Sequence, residues 1–235
     1  MIKILRYCSD PVCELKWGWG EHAVRKHAHS LWSFSIVLSG RTQIALGRDR
    51  AILSAGSSIA IPSGVAHLCT PEKEPPFTFA VLYCDERWLK TCGVDSDRIL
   101  WGRLGAQEFQ EMLHTSKGTE AGRMLGSLLQ RFERILPDVD RLTFPKNADS
   151  GFAPVSIRST SENRFKAYRQ YAQRYSLGPH AVRQNRRIEL AKAALRTGLS
   201  VAETAAACEF YDQSHFVKTF RLYTGTTPSL YKKGI

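Results

Sequence analysis

Residues 198–231 read GLSVAETAAACEFYDQSHFVKTFRLYTGTTPSLY, and this stretch decides how the C-terminal end folds. Ser200 followed three residues later by Glu203 is a capping box, so a helix is expected to start at Val201, run through Ala202, Ala205, Ala206 and Ala207, and end near Cys208. Glu209 and Phe210 form the turn. Asp212, Gln213 and Ser214 cap and open a second helix that continues through His215, Phe216 and Lys218 to about Tyr223, with Phe216 and Phe220 spaced i,i+4 on one buried face. Its other face is polar. Two short helices joined in this way suit the major groove of DNA, which is about 12 Å wide and admits one helix whose side chains meet base edges. The plain alternative is an ordinary helical hairpin.

The segment EFYDQSHFVKTFRLYTGTTPSLY, residues 209–231, resembles the second helix-turn-helix of the AraC/XylS family of bacterial transcription regulators. The resemblance rests on DQSHF together with Phe220, Gly225, Thr227-Pro228 and Tyr231, a combination far more specific than a generic helix-turn-helix pattern. It implies double-stranded DNA as the partner. It also places Asp212, Gln213, Ser214, His215 and Lys218 at the exposed start of the reading helix, and Thr219 and Arg221 at phosphates. Gln213 is the leading base reader, since its amide pairs with adenine in the major groove. One position departs from the family: Glu209 stands where glycine is usual, and a non-glycine residue in a left-handed conformation costs on the order of 1 kcal/mol.

Members of this family carry two such units in tandem, and a partial internal copy is present. Phe220, Gly225, Pro228 and Tyr231 have counterparts at Tyr171, Ser176, Pro179 and Val182, each 49 residues upstream. The segment VRQNRRIELAKAAL after Pro179 resembles the family's long linker helix, with Arg187, Ile188 and Ala191 at the positions of its usual Arg, Leu and Ala. The same offset puts Gly151 to Ser159 where the first unit's supporting helix belongs, yet Pro154, Val155 and Ile157 suit a helix interior poorly. A first reading helix is expected over Glu162 to Arg174, with Arg164 and Lys166 meeting phosphates, in a unit that is degenerate or rebuilt.

Charge divides the chain in the same place. Residues 137–235 carry 16 Lys+Arg against 8 Asp+Glu, whereas residues 1–136 carry 17 against 14, so the net charge of +11 gathers at the C-terminal end. A basic half that coincides with a helix-turn-helix is the electrostatic footprint of DNA binding. No run of 18 or more apolar residues suggests a membrane span, and MIKILRYCSDPVC lacks the sustained apolar stretch of a signal peptide, so a cytoplasmic location without membrane contact is expected. The six scattered cysteines read as reduced, mostly buried thiols.

The N-terminal half reads as β. SFSIVLSG, TQIALG, AILSAG, SIAIPSG and FTFAVLY lie in close succession between Gly, Pro, Asp and Ser punctuation, the pattern of a sandwich or small barrel. This pattern resembles a cupin barrel, the sensor fold of many AraC-type regulators. Gly20, His27, His29 and Gly40 resemble its first motif, and Gly56, Pro62, Gly64 and His67 its second. His27, His29 and His67 are candidate nitrogen ligands for a divalent metal. Two departures count against one: Ser33 stands where a catalytic cupin has glutamate, and Pro71 where it often has His or Asn. No metal or other cofactor is therefore expected. His27, His29 and His67, with Trp32 and Phe34 as aromatic walls, are assigned to a pocket for a small-molecule effector.

These observations predict an α+β chain: a cupin-like effector-binding barrel over residues 1–86, a helical region over 87–136, a linker over 137–160 and a helix-turn-helix domain over 161–235. Within the second region Met124, Leu125, Leu128, Leu129, Phe132, Ile135 and Leu136 form a helical stripe, suited to pairing two copies as a homodimer or to packing on its own barrel. The expected function is sequence-specific DNA binding under control of an effector, with no enzymatic activity. The alternative is a cupin metalloenzyme of the dioxygenase or isomerase class with a helical tail.

Overall fold

The computed structural model describes residues 2–8, 13–20, 25–91, 93–94, 97–115, 119–135 and 161–234. β-Branched and aromatic side chains fit a pleated surface buried on both sides, so the apolar runs of the N-terminal half become strands. In order these are β1 (Ile2–Cys8), β2 (Cys13–Trp19), β3 (Trp32–Ser39), β4 (Arg41–Leu46), β5 (Asp49–Ser54), β6 (Ser57–Ile61), β7 (His67–Pro71) and β8 (Thr78–Cys84). α1 (Glu86–Thr91), β9 (Ile99–Arg103), α2 (Ala106–Thr115), α3 (Thr119–Leu129) and β10 (Glu133–Ile135) follow. One sheet has seven strands in the order β1-β2-β8-β3-β6-β9-β10, and a second has three in the order β5-β4-β7. Every pairing is antiparallel. Gly40 turns β3 into β4 at φ +73°, and a Cβ there would lie 2.8 Å from the Phe77 backbone, so only glycine fits.

The large sheet is covered on both faces. Along β3 and β8, Trp32, Phe34, Ile36, Ala80 and Leu82 point to a core shared with Phe109, Leu125, Leu129 and Phe132. Their neighbours Val37, Phe79, Val81 and Tyr83 point instead to a core shared with Ile44 and Leu53 of the small sheet. The region expected to be wholly helical thus contains two strands: β9 extends the sheet beside β6, and β10 pairs with β9. The expected helical stripe is corrected as well. Its helix ends at Leu129, Phe132 packs against the helix-covered face just beyond it, and Ile135 belongs to β10. Leu136 lies outside the described residues.

The C-terminal half holds α4 (Ser161–Tyr175), α5 (Pro179–Arg196), α6 (Val201–Ala207), α7 (Gln213–Thr224) and α8 (Pro228–Gly234). Ile188, Leu195, Ala205, Phe210, Phe216, Phe220 and Tyr231 form its core. The internal copy is visible in the backbone. Ser176 at φ +56° and Gly225 at φ +75° take the same left-handed turn, and Pro179 and Pro228 open the helices that follow. Val182 and Tyr231 are both fully buried. The expectations for Gly151 to Ser159 and for the linker over 137–160 fall outside the described residues. No helix among the described residues is long and apolar enough to cross a membrane, and Cys69, Cys84 and Cys208 are free thiols.

Candidate functional site

Two places carry the candidate chemistry, the exposed start of α7 and the histidine end of the barrel. α6 begins as its sequence dictates: Ser200 Oγ accepts from the Glu203 amide at 3.2 Å, and Glu203 Oε2 accepts from the Ser200 amide at 2.8 Å. Its C-terminal turn uses Glu209 at φ +56°. Arg187 of α5 steadies that turn by donating Nε to the Cys208 carbonyl at 2.8 Å and a second guanidinium nitrogen to the Glu209 carbonyl, while lying over the Phe210 ring at 3.9 Å. Asp212 then caps α7, its carboxylate accepting from the His215 amide at 2.6 Å.

Asp212, Gln213, Ser214, His215, Lys218 and Arg221 are exposed on one side of α7, while Phe216, Phe220 and Tyr223 are buried on the other. Thr219 is a correction. It is buried on the same face as Phe216 and Phe220, because i+3 from one buried position and i−1 from the next leaves it no exposure, so it does not reach phosphates. Tyr211, 91% exposed just before α7, escaped the sequence reading. On α4, Lys166 is exposed together with Arg169, whereas the Arg164 side chain is outside the described residues. α4 and the start of α5 do have a scaffold: Tyr171, Tyr175, Leu177 and Val182 pack against Ala28 and Ala66 of the barrel.

In the barrel, His27, His29 and His67 converge. All three are buried, and each offers a ring nitrogen within 4.8 Å of the others. Two segments supply them, held together by the His27 amide donating to the His67 carbonyl at 3.0 Å and the His67 amide donating to the His27 carbonyl at 2.8 Å. Burial pushes His29 down to about 3 and His67 down to about 4, so both are neutral imidazoles at pH 7. His29 and His67 line a cavity of about 40 Å³ whose other walls include Ser33, Ser35, Ile44, Ile59, Phe79 and Tyr83. Trp32 and Phe34 do not line it. The two-residue period of β3 turns them to the opposite face, where the Phe34 ring lies 6.0 Å from Phe109 and 6.1 Å from Phe132. A larger cleft, of about 600 Å³, lies between the β4–β5 hairpin and α4, lined by Gly47, Arg48, Tyr168, Arg169, Ala172, Gln173 and Ser176.

A buried polar clasp joins the histidine loop and β2 to the helices. The Asn185 side chain accepts from the Ala28 amide at 2.7 Å and donates to the Ala28 carbonyl at 2.8 Å. Glu189 accepts from the Ser30 amide at 2.9 Å, from Ser30 Oγ at 2.5 Å and from Lys192 at 2.8 Å. Burial raises the Glu189 carboxyl, but Lys192 and the neighbouring His29 outweigh it and leave the group well below the usual carboxylate range. Glu14 accepts from Tyr231 at 2.5 Å and from Arg196 at 3.3 Å, and Lys16 donates to the Thr224 carbonyl at 2.9 Å. Burial pushes the Lys16 ammonium down to about 7. Sequence reasoning missed the clasp, although the charged Glu14 and Lys16 of a two-sided strand were its visible signal.

Comparison with known proteins accords with this layout. A family model described as an AraC-like ligand binding domain matches residues 14–136, more than half of the 235 residues, and one described as a helix-turn-helix domain matches residues 158–234. A crystal structure of ToxT from Vibrio cholerae superposes with a TM-score of 0.61 at 10% identity, covering 95% of this chain and 98% of that one. A second ToxT structure, with an unsaturated fatty acid bound, gives 0.57 at 11% identity over 100% of this chain and 94% of that one. A third, bound to (E)-4-(8-methylnaphthalen-1-yl)but-3-enoic acid, gives 0.57 at 10% identity over 100% and 98%. At such identities the likeness is one of fold. No curated protein sequence matches.

Proposed function

The chain belongs to the AraC family, a DNA-binding transcription regulator with a ligand-binding domain, and from that premise we propose that α7 reads sequence while the barrel senses the effector. The observation that carries this is the polar start of α7, exposed from Asp212 to His215 and again at Lys218 and Arg221, on a helix fixed by buried Phe216 and Phe220. A major-groove reader needs this combination, because base contacts specify only when the scaffold holds them in place. Gln213 supplies the base contact. Lys218, Arg221, Lys166 and Arg164 supply phosphate contacts.

In this proposal the sensor runs through β10, since β9 and β10 complete its sheet, and the reader begins with α4. Pairing of two copies would double the length of DNA recognised. The α3 stripe is not the pairing surface, because Leu125 and Leu129 are buried against their own sheet. His27, His29 and His67 form the sensing end of the barrel. A cavity of about 40 Å³ is far below the roughly 300 Å³ of an organic-ligand pocket, so neither a fatty acid nor an arylbutenoic acid of the kind held by ToxT fits it. The same size argues against turnover of an organic substrate by a cupin metalloenzyme, as does Ser33 in the place of a catalytic glutamate.

The test is a selection of random duplexes with the full chain, followed by binding measured against salt. We expect one enriched motif, and for Lys218→Ala with Arg221→Ala a loss that is equal for all sequences and a salt slope smaller by about two. Absence of enrichment, or an unchanged slope, contradicts the assignment.

A further inference from the structure

The cleft of about 600 Å³ between the β4–β5 hairpin and α4 shares no lining residue with the barrel cavity, and its volume falls within the roughly 300–1,000 Å³ of small-molecule sites. Two elements build it. Gly47, at φ +57°, and Arg48 form the tip of the hairpin. Tyr168, Arg169, Ala172 and Gln173 follow at i, i+1, i+4 and i+5, which puts them on one face of α4, with Ser176 one turn further on just past its end. The lining carries two guanidinium groups and no carboxylate, and Asp49, next along the hairpin, is not part of it. A third cation stands behind it, since the Lys26 ammonium donates to Ser176 Oγ. Arg48 and Arg169 are exposed, so water screens their charge, and an anion gains from them only where something else holds it in place. The Tyr168 ring can do so. It is 48% exposed yet braced from behind, because a Cβ at Gly178 would collide with its phenol, and the small residues Gly47 and Ala172 leave the cleft open. A planar ring stacks on tyrosine and on guanidinium faces, and a guanidinium fork holds an oxyanion by two parallel hydrogen bonds.

We infer that this cleft binds a small organic oxyanion, a carboxylate or phosphate carried on an aromatic ring, with Arg48 and Arg169 at the oxyanion and Tyr168 against the ring. Such a ligand touches the barrel through Arg48 and the first helix of the C-terminal half through Arg169, so it bridges the two. The DNA backbone is the other anion that two arginines could meet. The geometry favours the small molecule, because the hairpin tip stands across the cleft from this face of α4, whereas a helix that reads DNA must enter a groove about 12 Å wide. The site is additional to the sensor and the reader of the proposed function and requires neither.

Phenyl phosphate and benzoate titrated into the full chain test this, followed on the arginine Nε–H signals by NMR. At least one of the two should shift Arg48 and Arg169 saturably, and the tighter one identifies the oxyanion. Benzamide, which keeps the ring without the charge, and inorganic phosphate, which keeps the charge without the ring, should each bind at least about 10-fold more weakly than the better probe. Arg48→Gln and Arg169→Gln, both at exposed positions, should each weaken binding about 10-fold or more, the worth of a charged hydrogen bond. Arg41→Gln, exposed at the opposite end of β4, should leave it unchanged. Saturable shifts at neither cleft arginine, affinity indifferent to Arg169→Gln, or benzamide or inorganic phosphate bound as tightly as the better probe would overturn the inference. The shifts in the unaltered chain need no variant to fold. Loss of duplex affinity in Arg48→Gln, with neither aromatic anion taken up by the unaltered chain, would assign the cleft to the DNA backbone instead. Failure of the chain to select any DNA sequence would leave the arginine shifts untouched and count against the reader assignment alone.

Discussion

Glu209 shows how much of the reader depends on one backbone angle. It holds φ +56° between α6 and α7, the conformation that glycine adopts at no steric cost, and Ser176 repeats the compromise at φ +56° after α4. The turn survives because Arg187 binds the carbonyls of Cys208 and Glu209. The Glu209 side chain contributes only a half-exposed ion pair with Arg183 at 3.2 Å, which is worth little in water. Glu209→Gly should therefore raise stability, by about 1 kcal/mol, in urea unfolding of the full chain. A loss of stability would mean that the Arg183 pair outweighs the strain. Sequence showed this strain in advance, since a left-handed turn after a capped helix is a local rule. It did not show that Arg187 answers it, because that contact spans 21 residues.

Elements differ in how openly the sequence declares them. α7 was legible from the Asp212 cap to the Phe216–Phe220 spacing, since both depend on neighbours within one turn. Phe220 is fully buried against Phe216 and Tyr231, with ring centroids at 5.5 and 5.6 Å. Phe220→Ala should cost about 3–5 kcal/mol and unfold the helix-turn-helix first, leaving a protease-resistant barrel. Loss of the whole chain in one step would contradict a separately packed reader. β3 was legible as a strand but not in its facing. A strand buried on both sides gives no polar alternation to tell one face from the other, so sequence alone points Trp32 and Phe34 toward the cavity that Ser33 and Ser35 line. β9 was missed for a related reason: Ile99 to Arg103 is a five-residue run that gains its partners only when β6 and β10 come beside it.

At the scale of the whole molecule, barrel and reader meet through buried polar groups, which makes their contact specific and costly to break halfway. Asn185 is 1% exposed and satisfies both backbone groups of Ala28, between the two histidines of the first cupin motif. Asn185→Leu keeps the volume and orphans those groups at about 1–3 kcal/mol each, so calorimetry should show a lower first transition and separate melting of the two halves. A single unshifted transition would show that the clasp does not couple them. In the proposed reading, the basic C-terminal half meets the duplex through α7 and α4. We propose that Gln213 chooses the sequence while Arg164 and Lys166 only hold the backbone, and parallel binding selections on Gln213→Ala and on Arg164→Ala with Lys166→Ala separate the two roles. Gln213→Ala should cost about 1–3 kcal/mol on the preferred site and relax preference at one base position, whereas the double variant should weaken all sequences alike and lower the salt slope by about two. A motif unchanged by Gln213→Ala but altered at a second site by the double variant would mean that α4, and not Gln213, reads the bases.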